Sequence, residues 1–443
     1  MSHLGHDVTM LSSEGPGDFT PARKFLTENT DLDQMYRRAL TQSVTAPHVT
    51  SRNMYPPRTA DMVSQNNALH NYAWEETGFP QAYVDAFNES LQFLTVTAEH
   101  VKKILIDNGV KVPIAVVGNG VDHWLYVQAD PDYMLEAGKV RLLHVSSCFP
   151  RKGADVLLES YGRAFTADDD VTLIIKTFDN PHNTVDQMLA EARKRFPNYP
   201  SVLVIKEDYT AEQLKALYEH CHILVAPSRA EGFGLPMAEA MLSGLHVITT
   251  GWSGQLDFCD PGQCDLIDFS FAHASTHEGV ASSVWVDPDP EHLATLMKQV
   301  SSKCSMPGAV RPEPAPKLLS DFTWDAVARR NVQAARQLTA NRSMTQPRIG
   351  WISTYNTRCG IATYSEHLVS VLGLPVTVLA TRSDSKVRDD EHYVKRMWSE
   401  GQEHGQDDLL ETIEALDLDV VVVQFNYGFF DFEKLNRMLH TLN

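Results

Sequence analysis

The stretch HILVAPSRAEGFGLPMAEAMLSGLHVITT, His222 to Thr250, decides how the chain folds. Its apolar opening, HILVAPS, reads as a buried strand ending at a loop. A glycine-rich turn, Gly232-Phe233-Gly234, then leads to Pro236 and an apolar helix; proline suits the first helical turn, where its missing N–H is not needed. The N–H groups of Phe233, Gly234 and Leu235 stand free at that helix start, and such groups attract anions. Glycine lets a ligand come close to the backbone. Two carboxylates separated by seven residues flank the turn, Glu231 before the helix and Glu239 one to two turns inside it. An anion that carries hydroxyls suits this place: phosphate for the N–H groups, sugar hydroxyls for the carboxylates. The plain alternative is a strand–loop–helix unit with two solvated carboxylates.

Outward from this stretch the pattern repeats. Val140–Ser147, Val171–Phe178, SVLVIKE and GLHVITTG read as strands. Ala154–Phe165, TVDQMLAEARKRF and AEQLKALYEHC read as helices. Apolar strands alternating with amphipathic helices predict a parallel sheet covered on both faces. Ligands of such sheets bind at the carboxyl ends of the strands. Lys152, Lys176, Ser228, Glu231 and Gly251 all follow strands and can converge on one crevice.

The N-terminal part is also α/β, but looser, with strands expected in HDVTML, APHVTSR, NALHNYAWEE, LQFLTVTAEH and PIAVVGNGVD. Beyond the Pro- and Ser-containing KCSMPGAVRPEPAPK and the helix TWDAVARRNVQAARQL, the chain starts again with RIGWISTYNTRCGIATYSEHLVSVLGLPVTVLATRSD. That run reads as strand, loop with Gly360, helix, strand, and continues to DVVVVQFNYGFFDFEKL.

Glu231 and Glu239 resemble the E-x(7)-E signature of retaining glycosyltransferases of GT-B fold, family four. The resemblance covers roughly Gly118 to Leu338. It implies two Rossmann-like domains facing a cleft, with an additional partial Rossmann-like domain at the C-terminus. The expected boundaries are 1–125 for an acceptor-side domain lacking its first strand and 126–303 for the nucleotide-sugar donor domain. A return helix and linker take 304–347, and 348–443 begin a second acceptor-type domain. This order favours a tandem enzyme cut at both ends; alternatively, the tail fills the place of the missing first strand. Asn119-Gly120-Val121-Asp122 marks the crossover between the first two domains, and Arg52–Arg58 and Tyr72–Pro80 resemble loops that face the cleft.

In the family, Gly-Arg after the first donor-domain strand and a later Lys-Gly grip the diphosphate. Here VSSCFPRKG keeps Lys152 and Gly153 but has Ser146-Ser147 in place of Gly-Arg, so Lys152 and Arg151 become the candidate cations. The resemblance implies donor contacts from Phe233, Gly234, Leu235, Glu239 on the ribose, and Gly254 in GWSGQLDF, with Asp257 a looser match. It makes Glu231 the catalytic carboxylate, holding sugar hydroxyls. His70, Trp74 and Glu75 are acceptor-side candidates, or else structural.

The implied activity is that of a retaining hexosyltransferase, moving a sugar from a nucleotide-diphosphate donor to a hydroxyl, in polysaccharide or glycoconjugate biosynthesis. A non-catalytic nucleotide- or carbohydrate-binding scaffold and a GT-B phosphorylase stay open as alternatives. No cofactor and no metal are expected. The expected partners are a nucleotide-sugar and a glycan or lipid-linked acceptor, with peripheral membrane or homo-oligomer association left open.

Composition bounds these readings. The 443 residues can hold two or three domains, and 43% hydrophobic with 21% charged residues describe a globular chain. A formal charge of −19 argues against a nucleic-acid partner. Six cysteines without paired spacing suggest a reducing, cytoplasmic setting. Cys259, Cys264, His273 and His277 have zinc-like pair spacings but a short central spacer. Asp130/Asp132, Asp287/Asp289 and Asp417/Asp419 are expected by chance in a chain this acidic.

Overall fold

The computed structural model describes all residues except 12–20, 42–48, 63, 65, 277–278, 341–347, 384, 400–406, 417 and 442–443. They form two compact units, Met1–Thr339 and Ala340–Asn443.

The first unit opens with helices α1 (Arg23–Glu28) and α2 (Thr30–Thr41). The expected strand at HDVTML is absent, and His6–Leu11 has no strand partner among the described residues. It runs instead beside α2, where the Met10 amide donates to Met35 O at 3.3 Å and Arg38 pairs with Asp7 at 2.7 Å.

A four-stranded parallel sheet follows in sequential order: β1 (Thr50–Arg52), β2 (Asn67–Tyr72), β3 (Phe93–Val96) and β4 (Ile114–Val116). Helices α3 (Gln81–Ser90) and α4 (Glu99–Asp107) are its crossovers. Val84 and Phe87 of α3 and Val101, Ile104 and Leu105 of α4 pack with Leu69, Leu94 and Val96 of the sheet. Between Leu69 and Tyr72 the β2–β3 register shifts, and Asn71 there has φ 48°. Asparagine tolerates this left-handed conformation better than most residues. A bulge of this kind re-aims the chain at a strand end, here into the segment after Tyr72.

The second sheet has six parallel strands in the order β10-β9-β8-β5-β6-β7. They are β5 (Val140–Val145), β6 (Val171–Lys176), β7 (Ser201–Ile205), β8 (Ile223–Ala226), β9 (His246–Thr250) and β10 (Asp265–Ile267). Between them run α5 (Ala154–Ala164), α6 (Val185–Arg195), α7 (Ala211–His220) and α8 (Leu235–Leu242). Side chains alternate between two covered faces. Leu142, Leu173, Ile175, Ile223 and Val225 enter one core, while Leu143, Ile174, Leu224 and Val247 enter the other. This two-sided burial explains why the strands read as unbroken apolar runs. The chain winds outward from β5 to β7 and then returns to β8 on the other side of β5. That reversal makes a crevice beyond the carboxyl ends of β5 and β8, where ligands of open α/β sheets bind.

An antiparallel hairpin, β11 (Phe269–His273) with β12 (Val284–Pro288), follows. Helices α9 (Pro290–Ser305), α10 (Pro316–Asp321) and α11 (Trp324–Ala340) then return the chain to the first sheet. Asn331 of α11 donates to Asn71 Oδ1 at 3.1 Å, and its own Oδ1 accepts from the Thr95 hydroxyl at 2.6 Å. Asn71 in turn donates to Gly118 O at 2.7 Å. A buried polar network with its members paired rigidifies what it joins. The Asn119–Asp122 segment is shaped by the same return. A Cβ on Gly120 would stand 2.3 Å from the Trp324 ring, and Asp122 accepts from the Trp324 amide at 2.7 Å.

The second unit has a parallel sheet ordered β15-β14-β13-β16: β13 (Ile349–Ser353), β14 (Val376–Thr381), β15 (Val394–Trp398) and β16 (Val420–Val423). Helices α12 (Gly360–Val371), α13 (Asp407–Ala415) and α14 (Phe432–Thr441) complete it. Ile352, Leu379, Trp398, Leu435 and Met438 share its larger core cluster.

Candidate active site

A cavity of about 1040 Å³ lies in the first unit. Trp74, Glu75 and Asn119 from the first sheet's side line it, as do Arg151, Lys152, Glu231 and Phe233–Pro236 from the second sheet's side.

Lys152 is placed by the turn after β5. Burial pushes the His144 imidazole down to about 4, so the ring is neutral. Its Nδ1–H donates to Val225 O at 2.8 Å, which leaves Nε2 to accept from the Ser146 hydroxyl at 2.7 Å. Ser146 Oγ also accepts from the Cys148 amide at 3.0 Å. The Ser147 carbonyl is held by the Asn180 side chain at 2.9 Å. The two serines that replace Gly-Arg therefore build the turn. Gly153, at φ 68°, ends it; a Cβ there would stand 2.0 Å from Pro227 O. The β5 turn thus lies directly on the end of β8, and Lys152 meets Glu231.

Lys152 Nζ donates to Glu231 Oε1 at 2.6 Å, and the Ser228 hydroxyl donates to the same oxygen at 2.7 Å. Arg151 reaches Glu231 Oε2 at 3.5 Å and Glu75 Oε1 at 2.9 Å. Burial alone would raise the Glu231 carboxyl, but Lys152 and Arg151 beside it outweigh that and hold it below the usual range. Burial lowers the Lys152 ammonium, with Glu231 pulling the other way.

The Glu231 backbone is clamped by the loop after β9. Its amide donates to Ser253 Oγ at 2.9 Å, and its carbonyl accepts from the Gly254 amide at 2.9 Å. A Cβ on Gly254 would lie 2.4 Å from Gly232 O. Gly254 is buried and absent from the cavity lining; it shapes the Glu231–Gly232 turn rather than offering an N–H to a ligand. At the start of α8, the Phe233 and Gly234 amides donate to no atom among the described residues. The Phe233 ring sits 5.0 Å from Phe258 and 5.6 Å from Phe322, which fixes the turn from below.

Glu239, His70, Lys176 and Asp257 also stand apart from the cavity lining. Glu239 faces α7, where its Oε2 accepts from the Tyr218 hydroxyl at 2.9 Å. Burial pushes its carboxyl up to about 7. His70 pairs with the Ser51 hydroxyl at 2.7 Å. Trp74 lines the cavity but is 4% exposed, with its indole N–H on Gly78 O at 2.8 Å and its ring edge-on to Phe79 at 4.8 Å. Lys176, also expected in the crevice, lies under the Tyr209 ring at 5.0 Å. Asp257 accepts from the Glu99 amide at 3.1 Å.

Residues that the sequence reading passed over complete the wall. Glu76 is 5% exposed and accepts from the hydroxyls of Thr276 at 2.8 Å and Ser283 at 2.7 Å. The Thr77 amide donates to Val284 O at 2.9 Å, and the Gly78 amide to Ser283 Oγ at 3.0 Å. The β11–β12 hairpin thereby straps the Trp74–Gly78 loop to the second sheet. His182, stacked edge-on to Phe149 at 5.2 Å, lines the far side. Glu76 falls within Tyr72–Pro80, the loop expected to face the cleft, but its bonds to Thr276 and Ser283 across the chain left no signal in the sequence.

Among the described residues no group of three or more His, Cys, Asp or Glu could hold a metal. Cys259 and Cys264 are buried, His273 lies on the exposed hairpin, and His277 falls outside the described residues. The Asp pairs have local partners: Asp130 accepts from the Asp132 amide, Asp287 binds Arg229, Asp289 caps α9 and Asp419 binds Arg348. Asp417 falls outside the described residues. No described helix is long and apolar enough to cross a membrane.

Residues 139–302 match the domain described as glycosyl transferases group 1. Over 192 residues the chain is 27% identical to an MMP alpha-(1->4)-mannosyltransferase of Mycolicibacterium hassiacum. The match takes in 42% of this chain and 44% of that protein, so the chain spans less than half the length of this curated relative. A glycosyltransferase structure from Rickettsia africae superposes with TM-score 0.51 at 14% identity, over 75% of this chain and 84% of that one. A sucrose-phosphate synthase from Thermosynechococcus elongatus reaches 0.49 at 17% identity, over 63% and 69%. The matched residues, 139–302, take in the six-stranded sheet and its helices, and the chain has the GT-B fold.

Proposed function

We propose that this protein is a retaining glycosyltransferase of family four that moves a hexose from a nucleotide-diphosphate donor to a hydroxyl. The supporting observation is the meeting of Lys152, Arg151, Glu231 and the α8 N-terminus in one cavity at the strand-order reversal. As the bond from the sugar C1 to the phosphate oxygen breaks, the departing diphosphate gains negative charge. Lys152 and the Phe233 and Gly234 amides stand where fixed donors can stabilise it. Glu231 holds the sugar hydroxyls and faces the cationic ring carbon. The acceptor oxygen bonds to C1 from the face the phosphate leaves, and its proton passes to the departing phosphate oxygen, so configuration is retained. No step calls for a metal or cofactor.

The β1–β4 sheet is then the acceptor side and the β5–β10 sheet the donor side. Mannose is the first sugar to test, given the similarity to a mannosyltransferase. A glycan or lipid-linked acceptor, in cytoplasmic assembly of a polysaccharide or glycoconjugate, fits such a donor. Glu239, turned toward Tyr218, serves the ribose only after a rotamer change.

The test is a thermal-shift panel of nucleotide-sugars, followed by donor hydrolysis. At 100-fold excess over Kd one matched donor adds about 2.7 kcal/mol of stability. A panel without any shift overturns the reading, and binding without hydrolysis or transfer leaves a scaffold.

A further inference from the structure

The cavity's two cations are both occupied by its own carboxylates. Lys152 binds Glu231 at 2.6 Å, and Arg151 binds Glu75 at 2.9 Å with Glu231 Oε2 at 3.5 Å. With Glu76 also in the lining, two cationic side chains face three carboxyl groups, where the reading above needs a positive surplus for a diphosphate.

The two pairs differ. Lys152 and Glu231 have side chains 13% and 7% exposed, and Ser228 supports the carboxylate, so this pair is set into the floor. Arg151 and Glu75 are 24% and 32% exposed. A pair that keeps this much contact with water is weakly held. A guanidinium can exchange a carboxylate for two phosphate oxygens, with the same fork geometry and more charge on the acceptor.

The Glu75 backbone is held in place. The His100 Nε2–H donates to its carbonyl at 2.8 Å, and the next three residues are strapped to the β11–β12 hairpin. Arg151 sits in a short 3₁₀ turn, Pro150–Lys152, and its Nη1 also donates to Ala230 O at 3.3 Å, so what the exchange moves is the Nη2 end of the guanidinium that faces Glu75.

We propose that Glu75 is a competitor for the donor: it holds Arg151 in the unliganded cavity, and an arriving nucleoside diphosphate takes Arg151 from it. This rests on the donor reading above. Glu75 is thus a positioning residue for Arg151, and its removal should strengthen diphosphate binding, whereas loss of a merely structural residue should weaken it.

Calorimetric titration of the whole chain with UDP, GDP and ADP, and with uridine, guanosine and adenosine, tests this. For whichever diphosphate the wild type binds, Glu75→Gln should tighten it about two- to fivefold, the scale of one part-exposed ion pair. The matching nucleoside should be unaffected. Arg151→Gln should weaken the diphosphate, and the gain from Glu75→Gln should vanish in the double variant. Melting curves of each variant verify that it is folded, and Glu75→Ala gives the same sign if the amide introduces a bond of its own. A diphosphate affinity that Glu75→Gln and Glu75→Ala leave unchanged or lower overturns the exchange while keeping the donor reading. A wild type that binds none of the three diphosphates overturns both.

Discussion

Replacing Lys152 by methionine should expose how far Glu231 depends on it. Methionine keeps the length of the stem and removes the charge. The Nζ–Oε1 distance is 2.6 Å, and the side chains are 13% and 7% exposed, so the carboxylate left behind is almost fully out of water. Removing one partner of such a pair costs about 3–5 kcal/mol. Here Ser228 still donates at 2.7 Å and Arg151 stands at 3.5 Å, which brings the expected loss to about 2–3 kcal/mol. Neutralising both sides in Lys152→Met/Glu231→Gln removes the orphaned charge, and most of that loss should return. Scanning calorimetry reads this as a drop of about 3–8 °C in the transition of the larger unit for the single variant, and about half of that or less for the double. If the double variant melts as low as the single one, Glu231 does not depend on Lys152 for its charge, and the account of the site's electrostatics fails.

Three further outcomes follow from the same geometry. Glu239 is raised from 4.5 to about 7 by burial, so the stability it contributes is fully present below pH 4.5 and lost as pH rises through 7. Glu239→Gln should therefore match the wild type in urea titrations near pH 4.5 and exceed it by about 3 kcal/mol at pH 8; a gap that does not change with pH refutes the buried carboxyl. Gly153→Ala meets both a φ of 68° and a carbonyl 2.0 Å from the new Cβ. It should lose more than about 1 kcal/mol and weaken diphosphate binding through Lys152, and an alanine variant of wild-type stability and affinity would contradict the turn described. Glu76→Ala removes the acceptor for Thr276 and Ser283, so hydrogen exchange should speed up at Thr77 and Val284 while the β5–β6 amides stay protected. Equal protection in the variant would show that the hairpin is held by other contacts.

The second sheet was legible because burial on both faces writes itself into composition: Leu142 and Leu143, neighbours in sequence, serve opposite cores. The order of its strands was not, since nothing in a run of apolar residues names its neighbour. The floor of the site was legible for a related reason. Lys152, Glu231 and the α8 start each follow a strand, and strand ends converge whatever the loops do. Gly254 misled, because a glycine needed for close backbone packing looks the same in sequence as one that admits a ligand. Where Glu239 points was not legible, because helical period gives a face but not the rotamer, and Tyr218 bonds the carboxylate. The part of the cavity wall that comes from the first sheet's side was the least readable. It depends on a bulge at Asn71, on Asn331 more than two hundred residues away, and on a hairpin bonded to Glu76 across a similar gap. Such long-range polar pairs leave no periodic trace.

Topology also decides which sheet carries chemistry. In an open parallel sheet the crevice forms where the winding direction reverses, since only there do adjacent strand ends send their loops apart. The β1–β4 sheet is sequential and has no reversal. It can present a wall, the Trp74–Gly78 loop, but it has no crevice of its own. The β5–β10 sheet reverses between β5 and β8, and Lys152 and Glu231 follow those two strands. The unit Ala340–Asn443 repeats the reversal between β13 and β16. The loop leaving β13 there contains Asn356 at φ 50°, whose side chain donates to Arg388 O at 2.7 Å and Asp390 at 2.9 Å. Arg396 pairs with the same Asp390 at 2.7 Å. That cluster spends its polar groups on one another. The β5/β8 crevice instead keeps the Phe233 and Gly234 amides without acceptors among the described residues, beside the Lys152–Glu231 ion pair, and free amides at a helix start attract anions.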